Sequence, residues 1–500
     1  MHQRFFMQIE GVRTEKMLFT CVTFADGCFL AGRDLPGVVI AGSLLALFAA
    51  PHYLKSGITT IPQLLGERYD RPTKLWFSIA YIILYLFVQI PVILYSGSLV
   101  FENIFNLSGI LGITKFQSIV ILCILITIIG SIYAIFGGLK AVAVSDTING
   151  VGLLIGGLMI PFLALNVLGH ASGSESSVAI MDGVRYLIHN HADMLNSIAP
   201  AQSEAPAVPW PTVFTGLFFL GLQSWCTHQS FIQRVLAAKN LKEAQKGALY
   251  CAFLKIIGFM YLALPGVIAY ALFELQGDQV SMMDEAYPQL VSQVVPAPLM
   301  GFFAAVMLGA ILSSFNSVLN SASTIFPLNV WQPIWGKQAS NNKVVKVGQI
   351  FGTIVGVVSI AIAPFVMFFG TGIMNFINEC WGFFSMPLLT AVLFGLLSKK
   401  APAIAPKIVI PVHIVLYGLT KVIPFFSQFH YLYVVFALFV LECIIYAICI
   451  KVSPRQLAWE MPDAKVMDMT PWKSGKVWAI AGAAVVAIMY LIFSPLGIGA

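Results

Sequence analysis

Charge is what this chain has least of. Only 10% of its 500 residues are Asp, Glu, Lys or Arg, against about a quarter in an ordinary soluble protein. Its eight cysteines include no CxxC pair, and Cys123, Cys226, Cys251, Cys443 and Cys449 sit inside apolar runs, which argues against a disulfide framework or a zinc site. The eight histidines are scattered, with only His228 and His413 in long apolar stretches, so a membrane redox enzyme with a bis-histidine haem has little support. Met1 to Asp26 is mixed and charged rather than basic then apolar, the opposite of a cleavable signal. Apolar residues do not alternate at period two, which excludes a membrane-spanning closed barrel.

What is present is hydrocarbon: 58% of the residues are hydrophobic. A crossing helix needs roughly 20 apolar residues. Such runs fall near 75–97, 117–137, 141–169, 211–235, 248–274, 298–326, 346–370, 376–398, 404–424, 430–452 and 475–495. The expected fold is an all-α polytopic bundle of about 11–12 crossings, in the cell membrane. Gly, Pro and polar residues interrupt several runs, as a bundle tolerates where neighbouring helices satisfy the freed backbone.

Loop charge sets the orientation, because Lys and Arg are retained on the cytoplasmic side. Basic loops (Lys55 to Lys74; Lys140; Arg234 to Lys246; Lys337 to Lys346; Lys399 and Lys400; Lys451 to Lys473) alternate with acidic ones (Glu175 to Glu204; Glu274 to Glu285). The net charge of +6 is thus mostly a topology signal. It gives no basic face for nucleic acid.

One region departs from the pattern. Val38 to Ala50 is apolar but too short to span comfortably, and Arg33 and Lys55 flank it. Two crossings joined outside would leave both bases in the cytoplasm, so the segment reads as the outer ends of a helical hairpin whose middle is missing. The alternative is that Leu35 to Leu54 simply crosses with a tilt.

Polar groups at membrane depth mark candidate sites. Asp146 lies six residues past Lys140, about 9 Å into an apolar run, where a carboxylate is costly without a partner. It reads as a cation or proton site, or as an interfacial carboxylate at a helix start. Lys255 is an internal cation or one that snorkels to the interface. Ala310, Ser313 and Ser314, followed by Asn316, Ser317, Asn320 and Ser321, supply hard oxygens suited to an alkali cation, or a small-residue packing face. Gly152 and Gly156 have only the packing reading. The run from Pro211 to Gln233 carries Gly216, Gly221, Gln223, Ser224, Trp225, Thr227, His228 and Gln229, too polar for a lipid-facing helix and consistent with a discontinuous one. Trp225 beside these groups suits a sugar-like ligand or plain packing.

Several of these motifs have a family look. Phe29-Leu30-Ala31-Gly32-Arg33, Gly137-Gly138-Leu139-Lys140-Ala141-Val142 with Asp146, Gln233-Arg234-Val235-Leu236 through Lys246-Gly247, and Ser313-Ser314 with Leu319-Asn320-Ser321 resemble the sodium:solute symporter family, in its bacterial sodium/glucose-type branch. The resemblance implies a LeuT-type core of two inverted five-helix repeats, a single membrane domain over residues 28–500 after an unrelated stretch 1–27, and transport without a cofactor or enzymatic chemistry. Sodium is the implied coupling ion, held at Ala310, Ser313, Ser314 and Asp146. Trp225, Lys255 and Asn378 fall at positions that contact or close over sugar in sugar-carrying members.

The chain departs from the family pattern at its start. The leading helix is replaced, and two helices collapse into Leu35 to Ala50, with the junction near residues 45–46. The lost part carries the broken first core helix, so the first repeat is truncated. Gly221 and Ser224 stand where sugar members have Asn and Tyr. The expected function is sodium-coupled symport of a sugar or similar small polar solute. The alternative is a non-transporting relic, a sensor or an incomplete gene model of the same lineage.

Overall fold

Apolar runs of about 20 residues have one low-energy option in hydrocarbon, the helix that bonds its own backbone, and the computed structural model is helical wherever such runs occur. It describes residues 35–196, 209–278, 285–368 and 373–499. Among these, ten helices are long and apolar enough to cross a membrane, or eleven if the bent pair Phe376–Gly382 and Ser385–Leu397, angled at 49°, counts as one crossing. The remaining expected span, 211–235, is broken into helices too short to pass that test.

The chain opens with α1 (Leu35–Leu44), which runs through a wide π-turn (Leu45–Ala49) into α2 (Ala50–Ser56). One continuous span of Val39–Ser56 thus stands where the outer ends of two helices were expected to meet. Val39 to Ser56, uncharged except for Lys55 in the last turn, has no breaker strong enough to reverse the chain, and Pro51, which lacks an N–H inside this continuous helix, follows directly on the widened turn. The π-turn accommodates one extra residue without breaking the helix, and it falls at the junction inferred near 45–46.

Next come α3 (Ile61–Arg68), capped by Thr60, and α4 (Arg71–Leu84), capped by Asp70. A π-turn (Tyr85–Gln89) leads into α5 (Ile90–Phe105). Then α6 (Lys115–Ala171) is helical along its whole backbone, and its portions 115–132 and 144–171 each suffice to cross. It is not a straight rod. Such a rod would set residues 130 and 146 about 24 Å apart, yet Gly130 abuts Phe315 and Asn316 while Asp146 bonds Ser313, all within one turn of a single partner helix. After the amphipathic α7 (Ile180–Asn190), α8 (Gly216–Thr227) and α9 (Gln229–Leu236) form the broken span.

The second half holds α10 (Leu241–Gly258) and α11 (Leu264–Gln276), joined by the π-turn Phe259–Ala263, then α12 (Ala286–Val294) and α13 (Ala297–Ile325). It ends with α14 (Asn341–Ile362), α15 (Ile373–Gly382), α16 (Ser385–Leu397), α17 (Ile404–Val422), α18 (Tyr431–Val452) and α19 (Gly475–Ile492).

Small residues set the closest approaches. A Cβ on Gly152 or on Gly156 would lie 3.2 Å from Val306, so these two glycines form the packing stripe of α6 against α13. The basic loops around Lys55, Lys242, Lys399 and Arg455 are joined on one face. There Arg68, 1% exposed, donates from Nε to the Gly395 carbonyl at 2.8 Å, one that the end of α16 leaves unpaired, and from Nη2 to the Ser398 carbonyl just beyond it at 2.7 Å. On the acidic face two bases are each matched by an acid: Lys115 with Glu285 at 2.5 Å and Arg185 with Asp182 at 3.2 Å.

Candidate functional site at the broken helix

His228 leaves the helical conformation (φ −66°, ψ 118°) between α8 and α9, so the carbonyls just before it lose their intrahelical partners. Two phenols take them: the Tyr53 hydroxyl donates to Cys226 O at 2.6 Å and that of Tyr81 to Thr227 O at 2.5 Å. The broken helix is therefore anchored on both sides, by α2 and by α4. Gln229 ties its second half to the 59–61 loop, donating to Thr59 O at 3.1 Å and accepting from Ile61 N at 2.8 Å.

Aromatic rings close around the break. The His228 ring lies 4.5 Å from Trp381, 5.7 Å from Tyr85 and 5.9 Å from Phe231, centroid to centroid. Trp381, on the last turn of α15, donates from Nε1 to Gln89 Oε1 at 2.8 Å. Gln89 sits in the π-turn between α4 and α5, a distortion that turns its amide toward the centre.

On the other side of α9 lies the ionic centre. Asp146 on α6 is buried, and its carboxylate lies 2.9 Å from Nη2 of Arg234 and accepts from the Ser313 hydroxyl. Arg234 also donates to Ser317 Oγ and to the Ser230 carbonyl. Gln233 extends the network, donating to Ser317 O at 3.1 Å and accepting from Asn320 Nδ2 at 3.0 Å. Asn149, one turn along α6 from Asp146, donates to Gly309 O at 2.9 Å. Three polar side chains of α13 and the Gly309 carbonyl thus meet α6 and α9 in one patch.

The structure brings Asp146 and Ser313 into direct contact, with Ala310 and Ser314 on the same buried face of α13, at 8% and 5% exposure. Trp225 packs into the interface of α1 and α8, stacked on Phe231 at 5.9 Å and close to Gly42, where a Cβ would lie 3.1 Å from its ring. That same Cβ would lie 2.9 Å from Ala252, so Lys255, one turn further along α10, stands on the adjacent wall, half-buried. Asn378 is half-buried on α15, one turn before Trp381.

Arg234 is the residue that sequence reasoning misplaced. It counts there as a cytoplasmic loop base, whereas it is 6% exposed and is the partner Asp146 requires. The usable signal was its position, four residues past Ser230 on the polar half of a broken helix. Two further buried amides, Asn316 on α13 and the Gln223 nitrogen on α8, have no hydrogen-bond partner among the described residues.

The sodium:solute symporter family profile matches residues 24–404. The chain belongs to the sodium:solute symporter family. Members are integral membrane transporters rather than enzymes, and this symporter has their helical build. It is 36% identical to the uncharacterized symporter YidK of Escherichia coli, over 91% of this chain and 84% of that one. It is 31% identical to the sodium/glucose cotransporter of Vibrio parahaemolyticus, over 71% of this chain and 65% of that one. Among solved structures, a Na+-coupled sialic acid symporter in a substrate-bound outward-open state superposes with a TM-score of 0.71 at 18% identity, covering 90% of this chain and 92% of that one. That likeness shows a shared fold, the LeuT-type transporter core.

Proposed function

We propose that this chain is a secondary active transporter that couples sodium entry to uptake of a sugar or similar small polar solute. The observation that carries the reading is the meeting of Asp146 with Ser313 on buried faces of α6 and α13, beside a helix broken at His228. An alkali cation needs several oxygens to replace its water shell, and this patch offers a carboxylate and hydroxyls at positions 313, 314 and 317. Ala310, Ser313, Ser314 and Asp146 are the proposed sodium ligands.

Solute recognition is assigned to the wall around the break. Trp225, Lys255 and Asn378 are the proposed contacts, and the buried amides of Gln223 and Asn316 add hydrogen-bonding capacity of the kind a polyhydroxylated solute uses. The cotransporter names of the relatives support sodium and a sugar-like passenger for this symporter. Coupling follows if both bind one state of the access cycle better than the other, since a ligand shifts an equilibrium only by its differential affinity.

The test is uptake into proteoliposomes across a panel of sugars and related polar solutes, with and without an inward sodium gradient. Accumulation that requires the gradient and is lost in Asp146→Asn and Ser313→Ala supports the proposal; no gradient-dependent accumulation of any solute rejects it.

A second reading is favoured by one observation: a single span, Val39–Ser56, with a π-turn at Leu45–Ala49, stands where the family has two helices. On that reading the chain is a truncated relic or an incomplete gene model. Sequencing the transcript decides it, since codons for two further helices between Leu45 and Ala46 would assign the gap to the record.

A further inference from the structure

Away from the broken helix, one ionisable cluster is sealed from water and has no part in the reading above. His413 on α17 and Glu442 on α18 are 1% and 2% exposed, with ring Nδ1 2.6 Å from carboxylate Oε1. The other carboxylate oxygen lies 2.8 Å from the Thr390 hydroxyl of α16. Ring Nε2 lies 2.8 Å from the carbonyl oxygen of Gly382, at the bend between α15 and α16.

Counting protons constrains this arrangement. A carbonyl carries no proton, so the Nε2 contact requires one on the ring. Nδ1 and Oε1 face each other at ion-pair distance and neither has another hydrogen-bond partner among the described residues, so a second proton between them would satisfy both. A neutral imidazole facing a carboxylate supplies only one. An additional proton on the pair, as imidazolium with carboxylate or as imidazole with carboxylic acid, would satisfy both contacts.

Among the described residues, no substitute charge lies at hydrogen-bonding distance. Tyr417 stacks on His413 at 5.8 Å and donates its hydroxyl to Glu379 O at 3.2 Å. Glu379 is paired with Lys421 at 3.1 Å at that end of α17; Cys380 and Tyr431 lie near the same phenol. Cys443 and Tyr446 flank Glu442 on α18, α16 carries no ionisable side chain, and α8, packed on α18, has only Cys226.

We propose that His413 and Glu442 form a proton-binding site that latches the bend between α15 and α16. With the shared proton bound, the ring donates to Gly382 and the bend is held. When that proton leaves to solvent, neutral histidine and carboxylate remain, a lone pair is left facing an acceptor oxygen, and the Gly382 contact opens. The consequence reaches the centre through the adjacent residue, Trp381, whose indole bonds Gln89 and packs on His228. The latch stands apart from the sodium proposal, and its test needs no transport.

The experiment is hydrogen–deuterium exchange of the Phe383, Phe384 and Leu388 amides, expressed as protection relative to α14, from mildly acidic to alkaline pH. A charge-assisted bond at the bend implies that protection falls roughly tenfold or more as the proton leaves. Glu442→Gln lets a neutral histidine bond on both sides, so it keeps protection at every pH. His413→Phe removes the latch and lacks protection at every pH. A flat wild-type profile overturns the proposal even if neither variant folds; so does a step that persists in Glu442→Gln, or loss of its protection at every pH.

Discussion

A carboxylate and a guanidinium taken out of water must hold each other, and Asp146 and Arg234 do so at 2.9 Å with side chains 1% and 7% exposed. Removing one partner leaves the other charged and unsolvated, which costs about 3–5 kcal/mol, whereas replacing both is often close to neutral. Arg234→Met is therefore expected to lower the unfolding midpoint of the purified protein sharply, and the double variant Asp146→Asn with Arg234→Met to recover most of the loss; thermal denaturation in detergent measures both. Asp146 and Ser313 were legible one at a time, because burial cost singles out a lone acid in an apolar run. Their contact was not legible. They stand 167 residues apart, and Arg234 reads as a loop base until the fold draws α9 inward.

Elements meet here by shape more than by hydrophobicity, since lipid is as apolar as the helices it surrounds. Gly152 and Gly156 let α6 lie against Val306 of α13, and that approach allows Asp146 to reach Ser313. Gly156→Leu is expected to destabilise the protein by about 1–3 kcal/mol through overpacking and to abolish any transport that depends on the contact. Gly301→Leu is the control, because nothing lies within 4 Å of a Cβ there, and it should behave as wild type in the same stability and uptake assays. The small-residue stripe could be read from spacing alone, and so could the polar, interrupted character of the 211–235 run. The break at His228 could not be placed, because its location depends on Tyr53 and Tyr81 reaching the freed carbonyls from α2 and α4.

The whole molecule is oriented by its loops. Ser453 to Ser474 runs across the basic face, with Arg455 N donating to Lys400 O at 3.0 Å, Trp459 N to Lys399 O at 2.9 Å and Ala464 N to Lys55 O at 2.9 Å, so one strap joins α2 to the end of α16. A cysteine introduced at Ser453 should react with an impermeant thiol reagent only from the cytoplasmic side, and one at Ser176 only from outside, against the same background labelling of the parent; the reverse pattern would invert the topology. Chain chemistry alone determined that this is a multi-helix membrane protein and which residues carry polar chemistry at depth, because hydropathy and the cost of buried polar groups act locally along the chain; transport entered through the motifs that resemble the family. Tertiary structure alone decided that Arg234 rather than solvent answers Asp146, and that His413 and Glu442 meet at the Gly382 bend. Those outcomes depend on distances between segments far apart in sequence, and only packing determines them.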